Sequence, residues 1–361
     1  MLKKNYSIEL FRIICMLFII MIHLLGHGNG LPSSTSNLYS TGLLIQQICR
    51  FAVPGFMMIS GYVLYNKQFR LCRFIKIVVQ VQFYSLIFYF LSISILRLGF
   101  NRSEFIMSLF PVLSRRHWYV TDYVVILFIS PFINIISEKL DKITFQYFIV
   151  LLLVVMFLVP DVVYYSAWIN TGGVEGILYF IVFFIIGSYF GKFKPKFKYS
   201  NFYPFVFFAG LLLMNRVANI ISSYNSAIQL GTSFLAALYA ISMFSAFLSV
   251  KPKCIKLLQI LGPSTFGVYL LHDDISFKSI MWDSINVPYL TSKYCNNNAF
   301  LYLILIALIC IVIFLISSVI ELLRSHMFKI LHIDDFLDNL SNNIQNHMHK
   351  LLYKDNSNSL I

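Results

Sequence analysis

Charged residues are scarce in this chain, since only 12% of its 361 residues are Asp, Glu, Lys or Arg. Water-soluble domains carry about 25% charged residues, so the composition excludes an ordinary soluble enzyme. Gly (16 residues) and Pro (10 residues) are also few, whereas Phe (36) and Tyr (22) are abundant. A chain so rich in aromatic residues can bury enough apolar surface to pack, which excludes intrinsic disorder.

Motifs of soluble catalysis and of metal binding are missing as well. The sequence has no GxSxG element, no Gly-rich phosphate loop and no HExxH element. None of its six cysteines belongs to a CxxC pair, and the cysteines and histidines do not have the paired spacing of a zinc site. We therefore expect no structural disulfide and no metal. The Lys and Arg residues behind the net charge of +13 form no nucleic-acid-binding stripe. The basic loops of a membrane protein explain this net charge.

Long apolar runs dominate the chain, in which 58% of the residues are hydrophobic. A membrane-spanning helix needs about 20 apolar residues, and these runs lack the alternation of barrel strands. We therefore predict an all-α, polytopic integral membrane protein with about ten transmembrane helices. The runs lie at 8–27, 43–65, 74–97, 119–137, 145–163, 174–191, 202–221, 230–250, 257–273 and 299–323.

The distribution of Lys and Arg predicts the orientation. With ten spans and both termini in the cytoplasm, most of the 28 Lys and Arg residues fall in inner segments, as the positive-inside rule requires. Residues 325–361 carry Asp334, Asp335 and Asp338 together with a run of Asn, His and Ser. We therefore expect a transmembrane domain over 1–324 and a cytoplasmic C-terminal tail over 325–361.

Three basic residues lie where hydrocarbon is expected: Arg12 and His23 in the first run and Arg50 in the second. Eleven residues separate Arg12 from His23, which is about 20° beyond three full helical turns and a rise of about 16 Å. Both side chains therefore share one helix face. The alternative is that Arg12 extends its guanidinium group to the lipid headgroups and that His23 is a packing residue held by a hydrogen bond. The shared face favours a polar channel inside the bundle instead.

This arrangement resembles membrane acyltransferase family 3, whose hallmark is an Arg, ten residues and a His in the first span. Further segments resemble the family in order along the chain, although Asp273 stands where the family often has Pro. These segments are RFAVPGFMMISGYVLY (50–65), RLCR (70–73), HWYVTDYVVILFISPFIN (117–134), YFIVFFIIGSYFGK (179–192) and GPSTFGVYLLHDD (262–274).

The resemblance implies an acyl-CoA-dependent enzyme in which His23 is the essential catalytic residue. Histidine suits the removal of a hydroxyl proton near neutral pH, so His23 is the candidate base or a transient acyl carrier. Arg12 could polarise the thioester carbonyl or hold the pyrophosphate of the donor. Arg70 and Arg73 share a face of the third span and are our candidates for binding the phosphates of CoA. A plain positive-inside anchor is their alternative role.

The remaining candidates concern the acceptor. Trp118 and Tyr119 form either an interfacial aromatic belt or a sugar-stacking platform. Glu175 and Asp122 begin spans on the predicted outer side, where they could orient His23 or bind acceptor hydroxyls. Tyr269 and His272 lie near the outer end of the ninth span, and Arg50 could pair with one of the carboxylates. We count Arg50, Trp118, Tyr119, Glu175, Tyr269 and His272 as candidate substrate-binding residues.

The sequence thus predicts a multi-pass O-acyltransferase of the plasma or inner membrane. It would move an acyl group, with acetyl as the first expectation, from cytoplasmic acyl-CoA to a hydroxyl group of a cell-surface polysaccharide or its lipid-linked precursor. We expect acyl-CoA as a co-substrate, the lipid bilayer as surroundings, no permanently bound cofactor and no nucleic-acid partner. The alternative is a polytopic transporter or flippase for a glycan or small solute, without acyl transfer. Two halves of the chain with related sequences would favour a transporter, and the sequence shows no such relation.

Overall fold

The computed structural model describes residues 5–97, 99–162, 176–224 and 233–357, and all regular secondary structure in these ranges is helical. A π-helical turn, Val154–Leu158, joins the helix Lys142–Leu153 to the short helix Val159–Val162. The α-helices are α1 (Tyr6–Gly26), α2 (Tyr39–Cys49), α3 (Ala52–Leu64), α4 (Leu71–Leu96), α5 (Arg102–Leu109), α6 (Trp118–Lys139), α7 (Lys142–Leu153), α8 (Val159–Val162), α9 (Ile177–Phe193), α10 (Tyr203–Tyr224), α11 (Ser233–Ser249), α12 (Ile255–His272), α13 (Lys278–Ile285), α14 (Val287–Tyr294), α15 (Ala299–Ile330) and α16 (Ile333–Ser357).

Six of the described helical segments are long and apolar enough to cross a membrane: Tyr6–Gly26, Tyr39–Leu64, Leu71–Ile95, Trp118–Lys139, Lys142–Asp161 and Ala299–Ile330. Three shorter apolar helices accompany them, Ile177–Phe193, Tyr203–Val217 and Ser233–Ser249. The prediction of a helical membrane protein is therefore confirmed. The number of ten spans and the cytoplasmic position of both termini stay predictions.

Large apolar side chains are exposed along the sides of the helices. On α15, Leu308, Val312, Ile316 and Val319 are all exposed, at the three- or four-residue spacing of one helix face. A water-soluble monomer seldom exposes so continuous an apolar face. The exposed residues form the surface that lipid would cover.

Helix α1 occupies the middle of the bundle and packs against α2, α3, α11, α12 and α15. It begins cleanly because the side chain of Asn5 accepts a hydrogen bond from the backbone N–H of Ser7, which satisfies one of the free donors at a helix start. Phe11, Ile20 and Leu24 of α1 are fully buried. The polar residues of α1 are consequently held inside the protein rather than against lipid.

Helices α3 and α9 approach each other closely through two glycines. A Cβ atom on Gly61 would collide with the carbonyl oxygen of Phe184, and one on Gly187 would collide with that of Met58. Small residues at such contacts let helix backbones meet, and van der Waals packing then holds the pair without help from a hydrophobic driving force. This contact fixes α3, which forms one wall of the site described below.

We expect Gly187→Ala to lower the free energy of unfolding by about 1–3 kcal/mol, because the added methyl group overpacks a backbone contact. Thermal unfolding of the detergent-purified protein measures the change. Gly210→Ala is the matched control, since its Cβ would meet only Leu235 at an ordinary 3.7 Å. Equal melting temperatures for the two variants would show that the α3–α9 contact adjusts without cost.

A buried ion pair joins the C-terminal end of α12 to the segment before α6. Arg116 donates two hydrogen bonds to Asp274, from Nε to Oδ2 at 3.0 Å and from Nη2 to Oδ1 at 2.8 Å. Arg116 also bonds to Ser276, and His117 Nε2 lies 3.4 Å from Asp274 Oδ2. Because Arg116, His117 and Asp274 are all buried, this cluster holds the end of α12 in place.

The last helix that the structure describes, α16, folds back onto α4. The boundary predicted at 324 falls within α15, which continues to Ile330, and α16 follows it. Asp338 of α16 accepts a hydrogen bond from Lys76 Nζ at 2.9 Å and contacts the Cys72 thiol. Cys72 and Lys76 lie in the first turns of α4, so α16 packs beside the residues that begin that helix.

Candidate active site

A cavity of about 300 Å³ lies inside the bundle, between α1, α3, α4, α6 and α12. Most of its wall is apolar and aromatic, and a few polar side chains reach it, which is the usual composition of a small-molecule site. Among the sequence-predicted residues, the wall contains Arg12, His23, Arg73, Trp118, Tyr119 and Tyr269. Residues that the sequence spreads from α1 to α12 therefore meet at one space.

Arg12 and His23 both face this cavity from α1. Met16 and Ile19 line it between them, so the lining positions follow the three- and four-residue steps of a single helix face. The structure thus places the guanidinium and the imidazole on the same side of α1, facing the interior. We name the two ends of the cavity the Arg73 end and the His23 end.

The cavity carries positive charge. Of the described residues that line it, Arg12 and Arg73 are the fully charged ones, and no carboxylate is among them. Glu9 lies behind the wall: its Oε2 is 3.2 Å from Arg12 Nη1, one helical turn away on α1. Glu9 itself packs so tightly against α12 that a Cβ on Gly262 would collide with its carboxylate. Arg12 is thereby held at the cavity wall by a buried partner.

His23 belongs to a chain of hydrogen bonds that defines its tautomer. His272 Nδ1 lies 2.6 Å from the carbonyl oxygen of Val268, and His272 Nε2 lies 3.0 Å from His23 Nδ1. A carbonyl oxygen only accepts, so His272 carries its proton on Nδ1 and accepts at Nε2. The proton of His23 therefore lies on Nδ1. Its Nε2 keeps a free lone pair, which is the form that a general base requires.

Asp273 supplies negative charge beside the same imidazole. Its Oδ1 lies 3.7 Å from His23 Nδ1, and only 8% of the Asp273 side chain is exposed. A buried carboxylate next to the far nitrogen of a histidine stabilises the imidazolium that forms when the histidine accepts a proton. His272 and Asp273 together orient His23, a role that the sequence offered to Glu175 or Asp122.

Arg70 and Arg73 lie at the Arg73 end, at the start of α4. Arg73 lines the main cavity, and it also lines a small adjoining pocket together with Arg70, Lys67 and Gln68. Arg70 does not reach the main cavity. The two arginines thus follow one another from the end of the bundle inward. Three basic side chains around this small pocket, which adjoins the cavity at Arg73, favour binding of a phosphate-bearing molecule.

Aromatic side chains form the wall near His23. The rings of Tyr119 and Tyr269 contact each other with centroids 5.7 Å apart, and Trp118 packs against Phe180 at 5.9 Å. Tyr269 also contacts His272 at 6.1 Å. Because these rings pack on each other, the wall is rigid, and it presents flat apolar surface to whatever enters the cavity.

Arg50, His272 and Asp122 do not line the cavity. Arg50 lies between α2 and α3 and is not among the residues that line the cavity. His272 stands behind His23 instead of lining the wall. Glu175 lies outside the residues that the structure describes. Asp122 is 3.6 Å from Arg115 rather than beside His23.

Sequence reasoning missed Glu9 and Asp273. Glu9 left a signal, since an acidic residue three positions before Arg12 in an apolar run pairs with it on one helix face. Asp273 left a weaker signal, because in the sequence it is only a departure from the Pro that the family often has at this position. No local spacing could connect it to His23, which lies 250 positions earlier.

The fold and the cavity define a multi-pass helical membrane protein with a basic, histidine-containing interior site. Comparison with known protein families matches residues 5–320 to the family described as an acyltransferase domain. The chain therefore belongs to membrane acyltransferase family 3, as the sequence motifs indicated. No curated protein and no solved structure matches it.

Proposed function

We propose that this acyltransferase moves an acyl group, acetyl first, from cytoplasmic acyl-CoA to a hydroxyl group of a cell-surface polysaccharide or its lipid-linked precursor. The observation that carries the proposal is the shared cavity: Arg12, Arg73 and an oriented His23 all reach it. A base is needed for the hydroxyl proton, and positive charge is needed for the phosphates and the developing oxyanion. One interior space supplies both.

The transfer step uses His23 as the base. Nε2 of His23 takes the proton of the acceptor hydroxyl while the hydroxyl oxygen attacks the thioester carbonyl carbon. The tetrahedral oxyanion forms within the field of the Arg12 guanidinium. When the carbon–sulfur bond breaks, His23 returns its proton to the CoA sulfur, so the products are an ester and CoA thiol. Asp273, 3.7 Å from Nδ1, favours the charged form of His23 during the step.

The donor would enter at the Arg73 end. A cavity of about 300 Å³ has room for an acyl group and part of the pantetheine arm, whereas the nucleotide and its phosphates would stay at the opening. Arg70 and Arg73 line the small pocket that adjoins the cavity at that end, and guanidinium groups match phosphate oxygens with paired N–H groups. In this orientation the Arg73 end faces the cytoplasm, as the positive-inside rule predicts for the basic segment 67–76.

The acceptor would reach His23 from the other end. Trp118, Tyr119 and Tyr269 form the wall there, and aromatic faces are well suited to pack on the apolar faces of sugar rings. With donor and acceptor arriving from opposite ends, one protein in the plasma or inner membrane would use a cytoplasmic donor to modify a glycan outside.

The decisive experiment supplies the purified protein, reconstituted in lipid vesicles, with acetyl-labelled acetyl-CoA and a surface-glycan extract. We expect labelled acetyl groups in the glycan together with free CoA. A transporter or flippase would consume no acetyl-CoA. Retention of all label in acetyl-CoA, with a correctly folded protein and acceptors from several sources, would contradict the proposal.

Arg73→Ala is expected to raise the KM for acetyl-CoA about 10- to 100-fold, because a hydrogen bond to a charged group contributes about 1.5–3 kcal/mol. Arg70→Ala should raise it less, since Arg70 does not reach the main cavity. Initial rates at varied acetyl-CoA concentration measure both. An unchanged KM in Arg73→Ala would place the phosphates elsewhere.

A further inference from the structure

Three metal-ligating atoms come together at the His23 end. One ligand atom from each of His23, His27 and Asp273 lies within 4.8 Å of the other two. Oδ1 of Asp273 is 3.2 Å from His27 Nδ1 and 3.7 Å from His23 Nδ1. Ligand atoms at about 2.0–2.1 Å from a tetrahedral Zn²⁺ are about 3.3 Å apart. The two separations from Asp273 Oδ1, 3.2 Å and 3.7 Å, are close to that value before any side chain moves.

One buried oxygen of Asp273 has room for a further ligand interaction. Oδ1 of Asp273 is buried, and it makes no hydrogen bond to any residue that the structure describes, although His27 Nδ1 is only 3.2 Å away. The two groups are near but not aligned for hydrogen bonding. A buried carboxylate oxygen without a hydrogen bond is costly, and a cation bound between it and the imidazoles would remove that cost.

Helix geometry presents both histidines on the same side. His27 follows His23 by four residues, so the two imidazoles share a face of α1. Their rings are stacked, 5.1 Å apart and inclined by 20°. The His27 side chain is 43% exposed, so an ion can approach from that side. Two imidazoles and one carboxylate are a common ligand set for Zn²⁺, with the fourth position left to water.

We propose that His23, His27 and Asp273 form a binding site for Zn²⁺ or a similar divalent transition metal, and that the bound ion switches off His23 as a base. The second part rests on the proposed function. Coordination needs the lone pair of Nδ1, so the proton of His23 moves to Nε2 and the hydrogen bond to His272 is lost. No proton leaves the residue. With Nε2 protonated, His23 cannot accept the hydroxyl proton. This proposal replaces the sequence-based expectation of no metal, which rested chiefly on cysteine spacing.

A cobalt titration tests the site directly. Co²⁺ added to the full-length protein in detergent should produce the visible absorption bands of a tetrahedral centre, and Zn²⁺ should displace them. We expect His27→Ala and Asp273→Asn each to weaken Co²⁺ binding about tenfold or more, the loss that follows disruption of metal-site groups. The matched control is His332→Ala, because His332 forms an exposed pair with Asp335 at 2.9 Å and no third ligand joins it among the described residues. Absence of the bands, or bands that His27→Ala leaves unchanged, would overturn the site.

Acyl transfer tests the switch separately. Zn²⁺ should inhibit the wild-type enzyme, a chelator should restore it, and His27→Ala should work without metal while resisting Zn²⁺. Inhibition of both proteins at equal Zn²⁺ concentration, or of neither, would overturn the switch. Co²⁺ bands in a protein that transfers no acyl group would support the metal site and contradict the proposed function, so the two failures are distinguishable.

Discussion

His23→Ala is expected to reduce acyl transfer about 10²- to 10⁴-fold, the contribution typical of a general base. The imidazole lines the cavity, and its Nδ1 is held by His272 at 3.0 Å. Ala supplies no lone pair and leaves the space to water. The fold should survive, because the hydrogen bond from His272 to the Val268 carbonyl lies within α12 and does not involve α1.

Acetylation of surface polysaccharide, measured by mass spectrometry of the glycan, reports the effect in cells, and the protein level is measured in parallel. His332→Ala serves as the control, since that histidine is exposed and distant in sequence from the cavity residues. Normal acetylation by a His23→Ala protein at its usual level would remove His23 from the mechanism. The base would then have to be another group in the cavity.

Asp274→Asn is expected to lower the free energy of unfolding by about 3–5 kcal/mol, because it removes the buried counter-charge of the Arg116 guanidinium. The remaining acidic partner, Glu104, lies 3.7 Å from Arg116 Nη1 and is 44% exposed. Both side chains are almost completely buried, with exposures of 1% for Arg116 and 0% for Asp274. Burial alone would raise the pKa of Asp274, but the contacts with His117 and Arg116 outweigh it and lower the pKa.

The lowered pKa of Asp274 also determines how the stability of the fold depends on pH. A carboxyl group with a lowered pKa in the folded protein stabilises it fully above the unfolded value of about 3.9, and the contribution is lost as the pH falls through the folded pKa. The wild type should therefore lose stability below about pH 4 more steeply than Asp274→Asn does.

Thermal unfolding in detergent at neutral and acidic pH measures both effects. Asp335→Asn is the matched control, since Asp335 pairs with His332 in an exposed position, where an ion pair contributes about 0–1 kcal/mol. Equal melting temperatures for Asp274→Asn and the wild type at neutral pH would show that the Arg116–Asp274 pair does not hold the end of α12.

The helices were largely predictable because membrane helices follow simple rules. A helix buried in hydrocarbon must satisfy its backbone internally, so it appears in the sequence as a long apolar run. Each predicted run overlaps a described helix, including the short ones such as α9. The lengths were less predictable: α15 continues seven residues past the run that ends at 323, because helix propensity and packing of α16 extend it beyond the apolar segment.

The placement of Arg12 and His23 on one helix face came from the sequence, because a constant angle of about 100° per residue fixes relative direction within a single helix. The partners of His23 came only from the tertiary structure. His272 and Asp273 reach His23 across about 250 positions of chain, and the packing of α1 on α12 decides that contact. Local spacing carries no information about which helices become neighbours, so the shared face of Arg12 and His23 was predictable from sequence and the groups that orient His23 were not.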